Sequence, residues 1–237
     1  MTIHHDKMAY GRLSPLREDA SQQALDEMTS RLCEREYDRM VRGELYNPAN
    51  AELCELRTRV RELFRAYNNT SEAEKERRAE LLHAMFGGHG ARIYCEPPLR
   101  FDYGINTTVG EDFFSNFNLT VLDCAPVKIG KQCFIGPNVT IATPVHPMLS
   151  CDRNMRPDGK GGTFDYEYAR PITIGDNVWL ASNVVICGGV TIGDDCVIGA
   201  GSVVTKDIPA RVFAAGNPCR VIRPLTEKDK MKLPCEE

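Results

Sequence analysis

An isoleucine, leucine or valine returns at every sixth residue of this chain in two unbroken blocks, and few folds tolerate that period. The first block starts at Ile129 and reads IGKQCF, IGPNVT, IATPVH; the second starts at Ile174 and reads IGDNVW, LASNVV, ICGGVT, IGDDCV, IGAGSV, VTKDIP. In these nine hexads the fifth position is Cys, Val, Ser or Ile, and the third and fourth are mostly Gly, Asn, Asp, Lys or Pro. An α-helix makes a turn in 3.6 residues and would throw successive members of such a repeat onto opposite sides of its cylinder. A hairpin meander would need turns of varied length, not identical units. A parallel β-helix with three flat faces, in which each hexad supplies one short strand and one corner, accounts for the period and stacks the first positions into an internal column. The earlier stretches IYCEPP, LRFDYG and INTTVG read as irregular opening rungs.

Composition changes near residue 90. Residues 17–86 are charged and poor in Gly and Pro, whereas 91–223 are rich in Gly, Val, Ile, Asn and Pro. In the first part Leu53, Leu56, Val60, Leu63, Phe64 and Tyr67 recur at spacings of three and four, which predicts an amphipathic helix from about Asn50 to Tyr67. A second helix is expected from Thr70 or Ser71 to the stop at Gly87-Gly88, and an earlier one from about Ser21 to Arg42, ended by Gly43. The expected organisation is a tail (1–20), a helical cap (21–90) that shields the open end of the coil from edge pairing, the β-helix (91–223) with an extruded loop at 147–171, and a C-terminal tail (224–237).

Several function classes drop out. The formal charge of -4 provides no basic field for nucleic acid or anionic membrane. The longest apolar runs, such as VWLA and VFAA, are far shorter than the roughly 20 residues of a membrane span, and the first residues lack a secretory apolar segment. A cytoplasmic protein is expected. The ten cysteines contain no CxxC pair, so reduced thiols are expected, with Cys133 and Cys196 on the inward fifth position. GDN, GDD and GAG lack the strand-to-helix setting of phosphate loops and read as corners. A β-helix zinc site needs three histidines from neighbouring rungs, and the hexads supply only His146, so no metal is expected. Trp179, on a sixth position, should face outward.

His146 also holds a sixth position, in ATPVHP, where Ile141 and Val145 keep the hexad phase and Pro147 launches the long polar loop. Long loops extruded from a solenoid commonly carry function. An imidazole at the root of one suits a general base for a hydroxyl. The other reading of the residue is a corner histidine with no role.

The segments MVRGELY (40–46), FDYGINTTVGEDFFSNFNLTVLD (101–123), TPVHP (143–147), 172–209 and AAGNPCRVIR (214–223) resemble the maltose and galactoside O-acetyltransferases. The resemblance spans roughly Tyr37 to Arg223, and its most specific marks are RGELY, NFN and HP. It implies a left-handed parallel β-helix and a homotrimer, with acetyl-CoA held in a groove between neighbouring subunits and a sugar acceptor. Carried over by position, His146 matches the catalytic base and Asn116 the residue that helps seat acetyl group and acceptor. Asp102 and Asp123 match acceptor contacts. Trp179, Ser182, Ala200, Thr205, Lys206, Arg220 and Arg223 match the CoA groove, with the backbone N–H near Ser182 facing the thioester oxygen and the three cations suited to phosphates.

Each of these has a plainer reading: Lys206 with Asp207 as a solvated corner pair, Arg220 and Arg223 as surface charges, Asn116 and Asn118 as a corner ladder, Asp102 as part of a turn. The sequence departs from the family in its first 34 residues, in NPAN after GELY, and in a lengthened loop after His146. The same coil with the same CoA chemistry could serve another hydroxylated acceptor, a drug or a lipo-oligosaccharide, and a non-catalytic scaffold is the alternative outside enzymes.

Overall fold

In the computed structural model the described residues are 35–231. The expected tail at 1–20, the start of the earliest helix and residues 232–237 lie outside them. From Gly88 onward the chain winds into a three-sided prism whose sides are sheets of five, seven and five strands, all parallel except the last strand, Arg220–Pro224. Registers give the period directly. Thr173 pairs with Thr191 and Val185 with Val203, each 18 residues on, which is one rung of three hexads. The opening rungs are longer, since Thr108 pairs with Lys128 and Thr120 with Thr140, 20 residues on.

The side-chain plan follows the hexad. First positions Ile129, Ile135, Ile141, Ile174, Leu180, Ile186, Ile192, Ile198 and Val204 are all at most 4% exposed. Fifth positions Cys133, Val139, Val178, Val184, Val190, Cys196, Ser202 and Ile208 are buried as well, so the two cysteines are core residues as expected. Each buried aliphatic side chain contributes about 1.5–3 kcal/mol of transfer free energy. Fourth positions make the corners: Gln132, Asn138, Asn177, Asn183 and Asp195 have φ between 54° and 60°. Among residues with a Cβ, Asn and Asp enter this left-handed region most readily. The fold is mostly β, a parallel stacked coil of hexapeptide repeats consistent with a left-handed β-helix.

Outward residues give the three faces different chemistry. One presents Thr108, Lys128, Thr173 and Thr191. The second presents a ladder of Tyr94, Phe114, Phe134, Trp179, Val197 and Phe213. The third presents Arg100, Thr120, Thr140, Val185 and Val203. On the aromatic face Phe134 and Trp179 are 56% and 50% exposed, so Trp179 faces outward as expected.

The helices close the opening end. Helix α1 is Glu36–Arg42 and α2 is Ala51–Asn68, N-capped by the Asn50 side chain. The apolar stripe of α2 buries Leu53, Val60 and Tyr67. At its end Asn68 donates to Leu99 O and accepts from Leu99 N, which satisfies an edge that would otherwise be open. Helix α3, Lys75–Met85, starts several residues later than expected. Ser71 N instead donates to the Glu74 carboxylate, and Arg78 reaches back to Thr70, so residues 70–74 form a turn.

A second correction concerns Val145. The hexad phase assigns it to the core, but the chain leaves the coil after Ala142. Pro144–Val145 pairs antiparallel with Tyr168–Ala169 across the base of the loop, and Val145 is only half-buried. Beyond this ribbon the loop carries a short helix, Ser150–Arg153, and a hairpin of Arg156–Pro157 with Thr163–Phe164. After the coil, Arg220–Pro224 adds an antiparallel strand to the aromatic face, followed by the turn Glu227–Asp229.

Candidate active site

The site residues expected from sequence fall on two different edges of the prism. At the corner between the aromatic and third faces lies a groove of about 530 Å³, and Asn116, Trp179, Ser182 and Ala200 line it. Its floor and wall are Phe114, Phe134, Ile135, Gly136, Val197 and Phe213. An apolar trough with a few polar groups at its rim is a ligand-site composition. A Cβ on Gly136 would stand 2.8 Å from the backbone N of Ser182, so the two rungs touch there through bare backbone. The Asn116 carboxamide oxygen accepts from Phe117 N at 2.8 Å. The corner ladder is made by the next asparagine instead: Asn118 Nδ2 donates to Asn138 Oδ1 at 3.0 Å.

The second edge, between the third face and the threonine face, collects His146, Asp102, Asp123, Thr205 and Lys206. His146 is 53% exposed by side chain, and its Nε2 lies 3.5 Å from Oε2 of Glu167, which is 12% exposed. Glu167 Oε1 accepts a short hydrogen bond from the hydroxyl of Tyr46. Burial pushes the Glu167 carboxyl above the ordinary carboxylate range, while the Tyr46 hydroxyl and His146 pull it back. Glu167 did not emerge from the sequence. It lies off the hexad phase, 21 residues after His146, and only the antiparallel ribbon brings the two together.

Asp102 is half-buried and accepts from the Cys124 thiol at 3.6 Å. Burial raises its carboxyl, offset by Cys124 and by the guanidinium groups of Arg57 and Arg61. Arg57 reaches over from α2 and donates to the Tyr103 hydroxyl at 2.6 Å. Asp123 has a setting that differs from an acceptor contact. It is fully buried, with Oδ1 accepting from Tyr103 N at 2.8 Å and Oδ2 from Thr107 Oγ1 at 3.0 Å. Its oxygens are turned into the corner and not toward solvent. Burial lifts this carboxyl to about 6 against the pull of those donors.

Thr205 and Lys206 are exposed at the last rung of the second edge, where Asp207 accepts from Thr191 N and so serves the corner instead of pairing with Lys206. Arg220 and Arg223 belong to neither edge. Arg223 lies over the Phe213 ring and makes two hydrogen bonds to Asp229, at 2.9 and 2.6 Å. Arg220 donates to Cys219 O at 2.8 Å. Among the described residues no group of three or more His, Cys, Asp or Glu side chains could hold a metal ion, and no helix is long and apolar enough to cross a membrane.

The chain has known relatives. Residues 39–90 match the maltose acetyltransferase hexapeptide capping motif, residues 171–206 the bacterial transferase hexapeptide (six repeats), and residues 126–146 the hexapeptide repeat of succinyl-transferase. A galactoside O-acetyltransferase of Escherichia coli K12 is 45% identical over 81% of this chain and 91% of its own length. A maltose O-acetyltransferase structure from Clostridium difficile 630 superposes with a TM-score of 0.75 at 42% identity, covering 82% of this chain and 99% of that one. A galactoside acetyltransferase solved in complex with coenzyme A gives the same score and identity over 84% of this chain and 95% of its own. With the capping motif and the hexapeptide coil matched, the chain belongs to the maltose and galactoside O-acetyltransferase family of hexapeptide-repeat enzymes.

Proposed function

We propose that this enzyme transfers the acetyl group of acetyl-CoA to a sugar hydroxyl, with no metal, at sites shared between neighbouring copies of a homotrimer. One observation carries the reading. Asn116 and Ser182 line an apolar groove on one edge, whereas His146, buttressed by Glu167, stands on the next. The third-face strand Leu119–Leu122 lies between those edges. Four residues of strand span about 13 Å, too far for both groups to reach one reacting atom. A second copy whose His146 edge meets this groove would complete the site, and three such heterologous contacts close a ring. The exposed aromatic ladder beside the groove is a suitable surface for that contact.

In this reading the groove wall of Phe114, Phe134 and Trp179 takes the pantetheine arm of CoA, and Ala200 leaves room beside it. Thr205 and Lys206 of the adjoining edge, with Arg220, reach the phosphates; Arg223 would contribute only by giving up Asp229. His146 Nε2 lies 3.5 Å from the Glu167 carboxylate; with a proton held on that side, Nδ1 is left to receive the proton of the acceptor hydroxyl as its oxygen bonds to the thioester carbon. The Ser182 N–H and the Asn116 carboxamide face the oxyanion that forms. When the carbon–sulfur bond breaks, the imidazolium returns the proton to the leaving thiolate, giving an acetyl ester and free CoA. Asp102 orients acceptor hydroxyls. A cytoplasmic setting fits the eight described cysteines, all of them free.

Thiol release from acetyl-CoA, measured with a panel of galactosides, glucosides, maltose and non-sugar alcohols, tests the reading. Turnover with sugars is expected. A folded, CoA-binding protein that turns over no hydroxyl acceptor would be a scaffold, and turnover confined to non-sugar alcohols would replace the substrate class.

A further inference from the structure

Three residues from distant parts of the chain stand in a row at the second edge, the one that carries His146. The ribbon at the loop base pairs Val145 with Tyr168, so the next pair in that antiparallel register is His146 opposite Glu167. On the other side of Glu167 the backbone of Tyr46 makes an antiparallel bridge, with Tyr46 N donating to Glu167 O at 3.0 Å and Glu167 N to Tyr46 O at 3.2 Å. Residues directly opposite in antiparallel pairs point to the same face. The three side chains therefore run His146, Glu167, Tyr46 across three strands. Gly43 makes the approach possible: it caps α1 at φ 76°, and a Cβ there would stand 2.7 Å from Ala169 O. Arg39 Nε donates to Leu45 O at 3.0 Å and holds the segment between.

We propose that Tyr46 is a positioning residue of the transfer reaction, whose hydroxyl fixes the Glu167 carboxylate against His146. The proposal rests on His146 acting as the base. Tyr46 is fully buried, and burial holds its hydroxyl protonated far above the ordinary phenol range, so it acts as a permanent donor. The groups facing Glu167 are His146 on the departing strand, Tyr46 on the cap, Cys124 and Asp102 on the corners, and Asp165 on its own segment. Tyr46 and His146 stabilise its charge; Asp102 and Asp165 oppose it. Without the hydroxyl, the Glu167 carboxyl holds its proton more tightly. Without the carboxylate, His146 loses the negative charge that stands 3.5 Å from its Nε2.

The two conservative variants therefore move the pH profile in opposite directions. Tyr46→Phe keeps the buried ring and is expected to lower kcat roughly tenfold with both KM values within about twofold, while the acidic limb of kcat moves to higher pH. Glu167→Gln is expected to lower kcat and to move that limb to lower pH. Carbon-13 histidine NMR of the full chain, with the His146 signal assigned from His146→Asn, reads the same shifts without turnover. It thereby separates failure of this row from failure of the proposed reaction. An unchanged His146 titration in Tyr46→Phe overturns the proposal. So does an unchanged titration in Glu167→Gln, which also decides the matter if Tyr46→Phe does not fold. A merely structural Tyr46 would, when replaced by Phe, lower the melting temperature and leave the His146 titration where it was.

Discussion

Asn116 and His146 stand on different edges of one prism, with a whole sheet face between them, although they are only 30 residues apart in sequence. Their separation follows from the rung length: Asn116 precedes the third-face strand Leu119–Leu122, and His146 follows the next strand of that face, Thr140–Ala142. In the proposed reaction, which uses both, the two groups come from different chains.

Replacing His146 should separate binding from chemistry. The residue lies outside the groove lining and is half-exposed, so His146→Ala is expected to leave CoA affinity and melting temperature nearly unchanged. Turnover should fall about 10² to 10⁴-fold, the usual worth of a general base. Calorimetric CoA titration beside a thiol-release assay checks both; near-normal turnover removes His146 from the mechanism.

Trp179 is the only tryptophan in the chain and lines the groove at 50% exposure. Filling the groove with CoA should change its fluorescence saturably, and the change should vanish in Trp179→Phe. No change on titration, with binding confirmed by calorimetry, would put the cofactor elsewhere.

Asp123 makes stability depend on pH in an uncommon direction. Its carboxyl titrates at about 6 in the folded chain, above the ordinary value of 3.8. Between those values the folded state holds a proton that the unfolded state has released, so stability declines as pH rises through this window. The cost at neutral pH is at most about 3 kcal/mol. Asp102 and Glu167, raised for the same reason, act in the same sense. Thermal melts at pH 4.5 and 7.5 should show the decline, and Asp123→Asn should reduce it. An equal slope in that variant would mean that the buried carboxyl is not the source.

The coil was legible in sequence because a β-helix writes its period into every rung: Ile186 is buried for the same reason as Ile192 and Ile198. Corner asparagines were legible too, because a left-handed φ selects for them locally. What escaped depends on long-range pairing. Val145 fits the hexad phase, yet the strand Tyr168–Ala169 draws it out of the coil, and no local signal marks that exchange. Glu167 carries no motif and meets His146 only through that ribbon's register. The resemblance marked Asp123 for the acceptor, but its oxygens are claimed by Tyr103 N and Thr107 from the rung before, a contact that spacing does not reveal. Helix α3 begins at Lys75 because Glu74 and Arg78 bind the preceding turn through side chains, which competes with capping at Ser71.

The shared site is tested most directly by mixing two inactive chains. Equal amounts of His146→Ala and Asn116→Ala chains, unfolded and reassembled together, should form sites that take His146 from one variant and Asn116 from the other. Random mixing leaves about one site in four with both residues intact, so about a quarter of wild-type turnover should return. Turnover no higher than that of the separately refolded parents, with wild-type chains refolding to full activity in parallel, would contradict a site built between subunits.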